Sequence, residues 1–272
     1  MFNAVRLKFK SLRSEKRYAS LVKAAAFAYR HARQLRTLVF LPAATRELRS
    51  VVKASRPGTG TAVDAAMKTA FDDVGGTIRP YQNLPEIRQL LDLLVVRKPK
   101  RVLEIGTANG GTLFLFCRAA DPDAKIVSVD LPGGWFGGGY PKWKTTLYQR
   151  FTGANQELHL LRADSHNAQT FASVEGLLGG RMFDFIFIDG DHTYEGVRHD
   201  YEQYRKLLAP DGVIGFHDIV PNVTDPDCQV PRFWRELRAT EKTSEFVENP
   251  AQPGAGIGIV LPGDSKQTQQ TR

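Results

Sequence analysis

The sequence has few cysteines and no long apolar run. Cys117 and Cys228 are its two cysteines in 272 residues, and their separation excludes a disulfide scaffold, a zinc ribbon and a redox pair of neighbouring thiols. Cations such as Lys23 and Arg30 interrupt the best candidate for a spanning helix. The composition, with 42% hydrophobic and 24% charged residues, predicts a soluble globular protein of one or two domains in a reducing cytoplasm.

Acidic residues are scarce at the N-terminus. Residues 1–60 hold 14 of the 37 lysines and arginines, but only Glu15 and Glu47 of the 29 acidic residues. Apolar side chains are interleaved with these cations at a spacing that fits one or two basic amphipathic helices, the first ending at Pro42. We therefore expect a basic helical arm over residues 1–75.

Several interpretations of this arm stay open. It packs on its own domain or on a second subunit of a homo-oligomer, or it attaches to an anionic membrane surface. Membrane attachment would place a cytoplasmic protein peripherally at the inner face of the membrane. Nucleic-acid binding has no recognised motif in its favour. An arginine-rich, acid-poor N-terminus also resembles an organelle transit peptide.

From about residue 84 the sequence alternates β-rich and helical runs, which is typical of an α/β fold with a parallel sheet. The expected strands are 101–105, 125–130, 158–163, 183–188, 213–216, 245–247 and 257–261. The expected helices are 84–96, 111–120, one from 142, 168–178, 194–208 and 232–239. A turn at residues 210–212 precedes the fifth strand, and the last two strands favour an antiparallel pair at the sheet edge. Residues 76–261 form the main domain, and the polar segment 262–272 is expected to be a disordered tail.

The informative residues follow the strands, where an open parallel sheet binds its ligands. A glycine-rich turn comes directly after Glu104 and lets the backbone approach a ligand closely. Asp130 ends the second strand, placed to accept hydrogen bonds from ribose hydroxyls. Ala108 departs from the dinucleotide pattern Gly-x-Gly-x-x-Gly, which favours a nucleoside with an amine-bearing half over a diphosphate. A tight turn without a ligand is the alternative.

Three runs carry a resemblance to a known family: Val102–Thr112 (VLEIGTANGGT), Ser128–Gly134 (SVDLPGG) and Ile188–Val197 (IDGDHTYEGV). Over about residues 80–261 the chain resembles class I S-adenosylmethionine-dependent methyltransferases. Within them it is similar to the bacterial O-methyltransferases labelled cephalosporin hydroxylase-like or macrocin-O-methyltransferase-like. The resemblance implies a Rossmann-like, doubly wound, mostly parallel seven-stranded sheet with an antiparallel last strand, and S-adenosyl-L-methionine as cofactor.

The resemblance also implies which residues bind the cofactor. Asp130 would hold the ribose, while Asp164 and Ser165 would contact the adenine side. The full set of cofactor-binding candidates is Glu104, Gly106, Thr107, Asn109, Gly110, Asp130, Asp164 and Ser165.

Polar side chains follow the fourth and fifth strands. Adjacent parallel strands lie about 4.8 Å apart, so Asp189, His192, His217 and Asp218 should meet at one edge of the sheet. Carboxylate oxygens suit magnesium or another divalent cation. We expect Asp189 and Asp218 as ligands, with His217 as a further ligand and Asp191 as a weaker one. His192 is the candidate catalytic base with Asp189 beside it, and the similar families also place a base histidine here. Capping the next helix is the alternative role for His192, and orienting Asp218 is that for His217.

A loop rich in glycine follows Asp130. Trp135, Phe136 and Tyr140 lie among five glycines between Leu131 and Pro141, which predicts a mobile substrate lid or a stacking platform for a sugar. A surface loop that packs on its own domain is the alternative.

These patterns predict a methyltransferase that acts on a hydroxyl of a small acceptor, a saccharide or other polyhydroxylated natural product, with help from a divalent metal. One alternative is a catechol-type phenol O-methyltransferase. The other is a non-catalytic nucleoside-binding protein attached to a membrane or to RNA through its basic arm.

Overall fold

The computed structural model describes residue 37 and residues 39–72, 76–132, 139–222 and 225–261. The strands are β1 (Arg101–Ile105), β2 (Lys125–Asp130), β3 (Glu157–Arg162), β4 (Phe183–Ile188), β5 (Leu208–Phe216), β6 (Thr243–Phe246) and β7 (Ile257–Val260). The helices are α1 (39–54), α2 (Gly60–Phe71), α3 (Leu84–Arg97), α4 (Gly111–Ala119), α5 (Thr145–Tyr148), α6 (Ala168–Leu178), α7 (Tyr194–Tyr204) and α8 (Val230–Thr240). Short 3₁₀ turns at Lys142–Lys144 and Arg205–Leu207 flank α5 and α7.

The order of the strands reverses beside β1. The sheet runs β3-β2-β1-β4-β5-β7-β6, with β1 to β5 parallel and the last two strands antiparallel to their neighbours. The chain thus builds outwards from β1 to β3 and then crosses back to β4 on the other side of β1. This reversal leaves a crevice at the carboxyl ends of β1 and β4, where ligands bind in such folds. The predicted doubly wound sheet and its antiparallel edge pair are confirmed.

Helices cover both faces of the sheet. Along β1 the side chains alternate, so Val102 joins the core beneath α2, α3 and α4, while Leu103 and Ile105 join the core beneath α6, α7 and α8. β4 is apolar almost throughout because both of its faces are covered. The sheet is therefore a rigid centre from which the loops at its carboxyl edge project.

Helices α1 and α2 share the core of the sheet. Leu48 of α1 and Val63 and Ala66 of α2 are buried in the same cluster as the side chains of α4. Arg118 of α4, which is fully buried, donates to the Ser55 carbonyl oxygen at the end of α1. Residues 39–71 therefore pack on the domain that contains the sheet. The boundary between residues 75 and 76 stays a prediction.

Helical residues lie on both sides of Pro42, so the prediction that this proline ends a helix was wrong. Burial of Ala44 and Leu48 against the domain stabilises the helix across the proline, as tertiary contacts often override local propensity. Residues 1–36, which carry most of the arm's cations, and the tail 262–272 lie outside the described ranges. Within those ranges no helix combines the length and apolarity needed to cross a membrane.

The predicted turn at residues 210–212 lies inside β5. Pairing between β4 and β5 is irregular between Phe183 and Phe185, because β5 carries extra residues there. A bulge of this kind accommodates Pro210 and Gly212 without ending the strand.

We predict that Glu86→Ala destabilises the fold by about 3 kcal/mol, because one buried and two part-buried donors lose their acceptor. The Glu86 carboxylate in α3 is fully buried and accepts hydrogen bonds from the Gly256 backbone N–H (2.9 Å), the Gln252 side chain (2.6 Å) and the Glu248 backbone N–H (3.2 Å). Urea unfolding measures the loss. Gln89→Ala, an exposed change on the same helix, is the control, and equal stability of the two variants would contradict the prediction.

Candidate active site

The turn after β1 packs tightly against the end of β4. The Asp189 backbone N–H donates to the Ile105 carbonyl oxygen at 2.8 Å, and a Cβ on Gly106 would collide with the Asp189 carbonyl oxygen. Gly106 has a φ of 95°, a conformation that glycine adopts without strain. A side chain at position 106 would therefore push the ends of β1 and β4 apart. The predicted cofactor loop follows β1, and the polar residues that follow β4 and β5, here called the polar edge, begin at the end of β4.

A second glycine, Gly110, lets that turn enter α4. Gly110 caps α4 with a φ of 84°, and the ring of Tyr148 lies where its Cβ would be. The Tyr148 hydroxyl donates to the Ala108 carbonyl oxygen at 3.0 Å. Asn109 donates through its side chain to the Arg79 carbonyl oxygen at 3.2 Å, and so ties the turn to the segment that precedes α3. The turn is thus fixed from both sides.

Asp130 joins the turn after β1 to the glycine-rich loop after β2. Its carboxylate accepts from the backbone N–H groups of Ala108 (2.9 Å) and Gly139 (3.1 Å). Burial nevertheless raises the pKa of Asp130 to about 6, and the backbone hydrogen bonds offset only part of that effect. The carboxylate therefore carries a charge at neutral pH that the surrounding protein does not fully compensate.

Glu104 lies deeper in the same region. Its side chain is fully buried, and neither carboxylate oxygen has a hydrogen-bond partner of good geometry among the described residues. Burial raises the pKa of Glu104 well above its ordinary value, and the hydroxyls of Thr107 and Ser128, which hydrogen-bond each other, offset only part of this. A buried carboxylate without a partner is costly unless a ligand supplies a cation or a donor.

The loop after β3 lies at the same end of the sheet. The Asp164 side chain accepts from the backbone N–H of His166 at 2.9 Å. The Tyr204 hydroxyl donates to the Ser165 carbonyl oxygen at 2.9 Å, so α7 holds this loop in place. His166 also forms an ion pair with the fully buried Asp200 of α7, at 3.5 Å between Nε2 and Oδ1.

The four residues predicted after β4 and β5 come together. The His217 Nδ1 atom lies 3.3 Å from both Asp189 Oδ1 and Asp218 Oδ2, and the His192 Nε2 atom lies 3.5 and 3.6 Å from the same two oxygens. Asp218 adopts a φ of 59°, which turns the chain sharply after β5. Asp191 bonds elsewhere, since its carboxylate accepts from the Thr193 backbone N–H at 2.8 Å.

The charges at this edge compensate one another. Burial lowers the pKa of His192 and of His217, but the carboxylates of Asp189 and Asp218 outweigh burial and raise both pKa values. Burial likewise raises the pKa of Asp189 and of Asp218, but the imidazoles hold both below the ordinary value. The carboxylates are therefore ionised.

Sequence reasoning missed Gln82. Its side-chain N–H donates to Asp189 Oδ2 at 3.0 Å, and the residue is buried beside the polar edge. It comes from the segment before α3, and its distance of 107 positions from Asp189 in the chain leaves no local signal for the contact. Gln82 orients the carboxylate so that Oδ1 faces the two histidines.

The structure tests the predicted lid only in part. Trp135 and Phe136 lie outside the described residues. The Tyr140 side chain is only 2% exposed and packs on Tyr148 with ring centroids 4.8 Å apart, so in this arrangement it belongs to the core and offers no open platform. A sequence of aromatic and glycine residues does not show which ring turns inwards.

Comparison with known proteins agrees with the fold. Residues 103–219 match the family model of a methyltransferase domain. The chain is 25% identical over 202 residues to tapetum-specific methyltransferase 1 of Arabidopsis thaliana, an alignment that covers 68% of this chain and 81% of the relative. It is 29% identical over 163 residues to the uncharacterized protein y4gI of Sinorhizobium fredii, which covers 59% of this chain but only 17% of that much longer protein.

Two solved structures share the fold. An O-methyltransferase from Bacillus cereus in complex with SAH superposes with a TM-score of 0.50 at 19% identity, covering 73% of this chain and 91% of that one. The cofactor-bound protein Rv0187 from MTB gives a TM-score of 0.51, also at 19% identity, covering 74% and 88%. Residues 103–219 thus carry a methyltransferase domain, and the chain has the fold of these solved structures.

We predict that Asp130→Asn makes the ligand-free protein more stable at neutral pH, by at most about 3 kcal/mol, while weakening S-adenosylhomocysteine binding at least about 10-fold. Because the folded pKa of about 6 exceeds the ordinary 3.8, the ionised carboxylate destabilises the fold above pH 6, and this cost disappears as the pH falls through that range. Thermal unfolding and calorimetric titration measure the two effects. A variant less stable than wild type without ligand would contradict the argument.

We predict that the His166–Asp200 pair stabilises the fold below neutral pH and stops doing so in alkali. Asp200 raises the pKa of His166 from 6.5 to about 8, so the contribution is complete below pH 6.5 and is lost as the pH rises through about 8. The difference in melting temperature between wild type and His166→Gln should shrink over that range. His199→Gln, at an exposed neighbouring imidazole, should show no such trend, and a constant difference for His166→Gln would refute the pairing.

Proposed function

We propose that the protein transfers the methyl group of S-adenosylmethionine to a hydroxyl oxygen of a saccharide or another polyhydroxylated natural product, with a divalent cation assisting. The observation that carries this proposal is the close packing of the Gly106 turn on Asp189. It puts the predicted cofactor loop and the polar edge on two adjacent strand ends, so that a methyl donor and a proton acceptor can face one crevice.

The cofactor part of the proposal rests on two buried acidic side chains, Asp130 and Glu104. Asp130 would accept hydrogen bonds from the ribose hydroxyls, and the buried, unpartnered Glu104 would face the ammonium-bearing half of the cofactor. Gly106 and Gly110 allow the backbone to approach, with Thr107 and Asn109 between them. In the same proposal Asp164 and Ser165, held by α7, take the adenine side.

The reaction needs a proton acceptor beside the hydroxyl that attacks. In the proposed step the acceptor oxygen forms a bond to the methyl carbon, the carbon–sulfur bond breaks, its electrons stay on sulfur, and the hydroxyl proton passes to a base. His192 is the group positioned to take that proton, since Asp189 and Asp218 flank its Nε2 atom. Those carboxylates also stabilise the imidazolium that results.

The residues at this edge fit a divalent cation. Asp189, His217 and Asp218 can each place one ligand atom within 4.8 Å of the others, and both carboxylates are ionised. A cation held there would lower the pKa of a hydroxyl that binds to it. The distances among the described residues do not depend on that cation, and the proposed role of His192 does not require one.

The proposed acceptor is a saccharide or another polyhydroxylated compound. Neighbouring hydroxyl oxygens occur at a similar spacing in sugars and in phenolic catechols, so the polar edge alone is compatible with both. The 24% identity to a putative caffeoyl-CoA O-methyltransferase of Arabidopsis thaliana keeps the phenol alternative in view. Methyl transfer from labelled cofactor to a panel of glycosides and catechols tests the choice. Turnover with catechols alone would reject the saccharide proposal.

We predict that His192→Gln lowers kcat at least about 100-fold and leaves S-adenosylhomocysteine affinity unchanged, because the base acts only on the acceptor proton. Single-turnover methyl transfer and calorimetry separate the two quantities. His199→Gln, at an exposed histidine of α7, is the matched control and should retain wild-type turnover. Full activity of His192→Gln would assign the base elsewhere, and a non-catalytic nucleoside-binding protein would show no transfer in either form.

A further inference from the structure

We propose that Asp189, His217 and Asp218 form a mixed nitrogen–oxygen site that selects a first-row transition-metal dication, of the zinc or cobalt(II) kind, over Mg²⁺. This rests on the proposed function in one respect, that the polar edge is where the acceptor binds. The preference for such a cation comes from the His217 imidazole, which lies between the Asp189 and Asp218 carboxylates.

The spacing of the donor atoms is that of ligands sharing an ion. The His217 Nδ1 atom is 3.3 Å from Asp189 Oδ1 and 3.3 Å from Asp218 Oδ2. A charge-assisted hydrogen bond between such groups is shorter, about 2.7 to 2.9 Å. Two ligands bound to one ion at about 2.1 Å are separated by about 3.0 to 3.4 Å, the range found here.

The three side chains are held in place by the fold. His217 is almost fully buried, and its backbone N–H donates to the Ile188 carbonyl oxygen at 3.2 Å. Gln82 holds Asp189 Oδ2 at 3.0 Å and leaves Oδ1 facing His217. The left-handed conformation of Asp218 turns its carboxylate back towards the same point. A set of ligands fixed in this way loses little freedom when it binds an ion.

The donor types decide between cations. Mg²⁺ takes oxygen ligands in nearly ideal octahedral geometry and retains several waters, whereas imidazole nitrogen suits zinc, iron, nickel and copper. His217 supplies a nitrogen where a third carboxylate would have made an all-oxygen site. Two more nitrogen and sulfur donors, His192 and Cys228, lie close to Asp218, so the surroundings are also richer in soft donors than a magnesium site. We keep His192 and Cys228 outside the ligand set.

The test uses the full chain, stripped with a chelator and titrated with Co²⁺ while its visible absorption is recorded. We expect one tightly bound Co²⁺ per chain, displaced by an equimolar amount of Zn²⁺ but not by a large excess of Mg²⁺. His217→Ala should weaken Co²⁺ binding at least about 10-fold, and His217→Glu, which would make all three ligands oxygen donors, should reverse the preference towards Mg²⁺. Cys228→Ser is the matched control and should bind Co²⁺ as wild type does.

Each other result overturns the inference. Displacement of Co²⁺ by comparable Mg²⁺, unchanged affinity in His217→Ala, or weakened binding in Cys228→Ser would each reject the ligand set. Absence of any bound metal would mean that protonated His217 itself neutralises the two carboxylates. Circular dichroism and S-adenosylhomocysteine binding confirm that each variant is folded. Metal binding without methyl transfer to any acceptor would reject the proposed function alone, and methyl transfer by a protein that binds no Co²⁺ in the titration would reject the metal inference alone.

Discussion

The site depends on one constraint, the contact between the ends of β1 and β4. These strands are neighbours because the order of the strands reverses after β3 and places β4 on the other side of β1. Glycine at position 106 lets the turn after β1 lie directly on the backbone of Asp189. The turn that would hold the cofactor and the edge that would hold the acceptor are therefore parts of one packed unit. Their separation is set by backbone hydrogen bonds within the sheet and not by flexible side chains.

Charge is distributed unequally between the two halves of that unit. At the polar edge, two carboxylates and two imidazoles compensate one another, so the site is electrostatically close to balanced without a ligand. On the proposed cofactor side, burial raises the pKa values of Glu104 and Asp130, and the hydrogen bonds to these two acids offset only part of that effect. In the proposed function, a sulfonium cofactor with an ammonium group would supply the missing positive charge and hydrogen-bond donors. The two buried acids that lower the stability of the ligand-free protein would thus strengthen the binding of a cationic ligand.

Much of this arrangement could be predicted from the sequence. The strands have near-continuous apolar runs with polar residues at their ends, so both the α/β order and the meeting of Asp189 with Asp218 follow from local patterns and sheet geometry. What could not be predicted depends on contacts between distant segments. Gln82 reaches Asp189 across 107 positions, and α2 joins the main core although its sequence lies in the basic N-terminal region. The burial of Tyr140 likewise depends on Tyr148, whose ring occupies the space beside it.

Helix α7 connects the polar edge to the loop after β3. It begins two residues after His192, and the Thr193 side chain caps its first turn by accepting a hydrogen bond from the Gly196 backbone N–H at 3.1 Å. Near its other end, Tyr204 holds the carbonyl oxygen of Ser165, and one helical turn earlier Asp200 pairs with His166. A displacement of the polar edge would therefore move the loop after β3 through a rigid helix. In the proposed function this linkage would fix the acceptor edge relative to the adenine side of the cofactor, so the reacting atoms would need little further alignment once both ligands are bound.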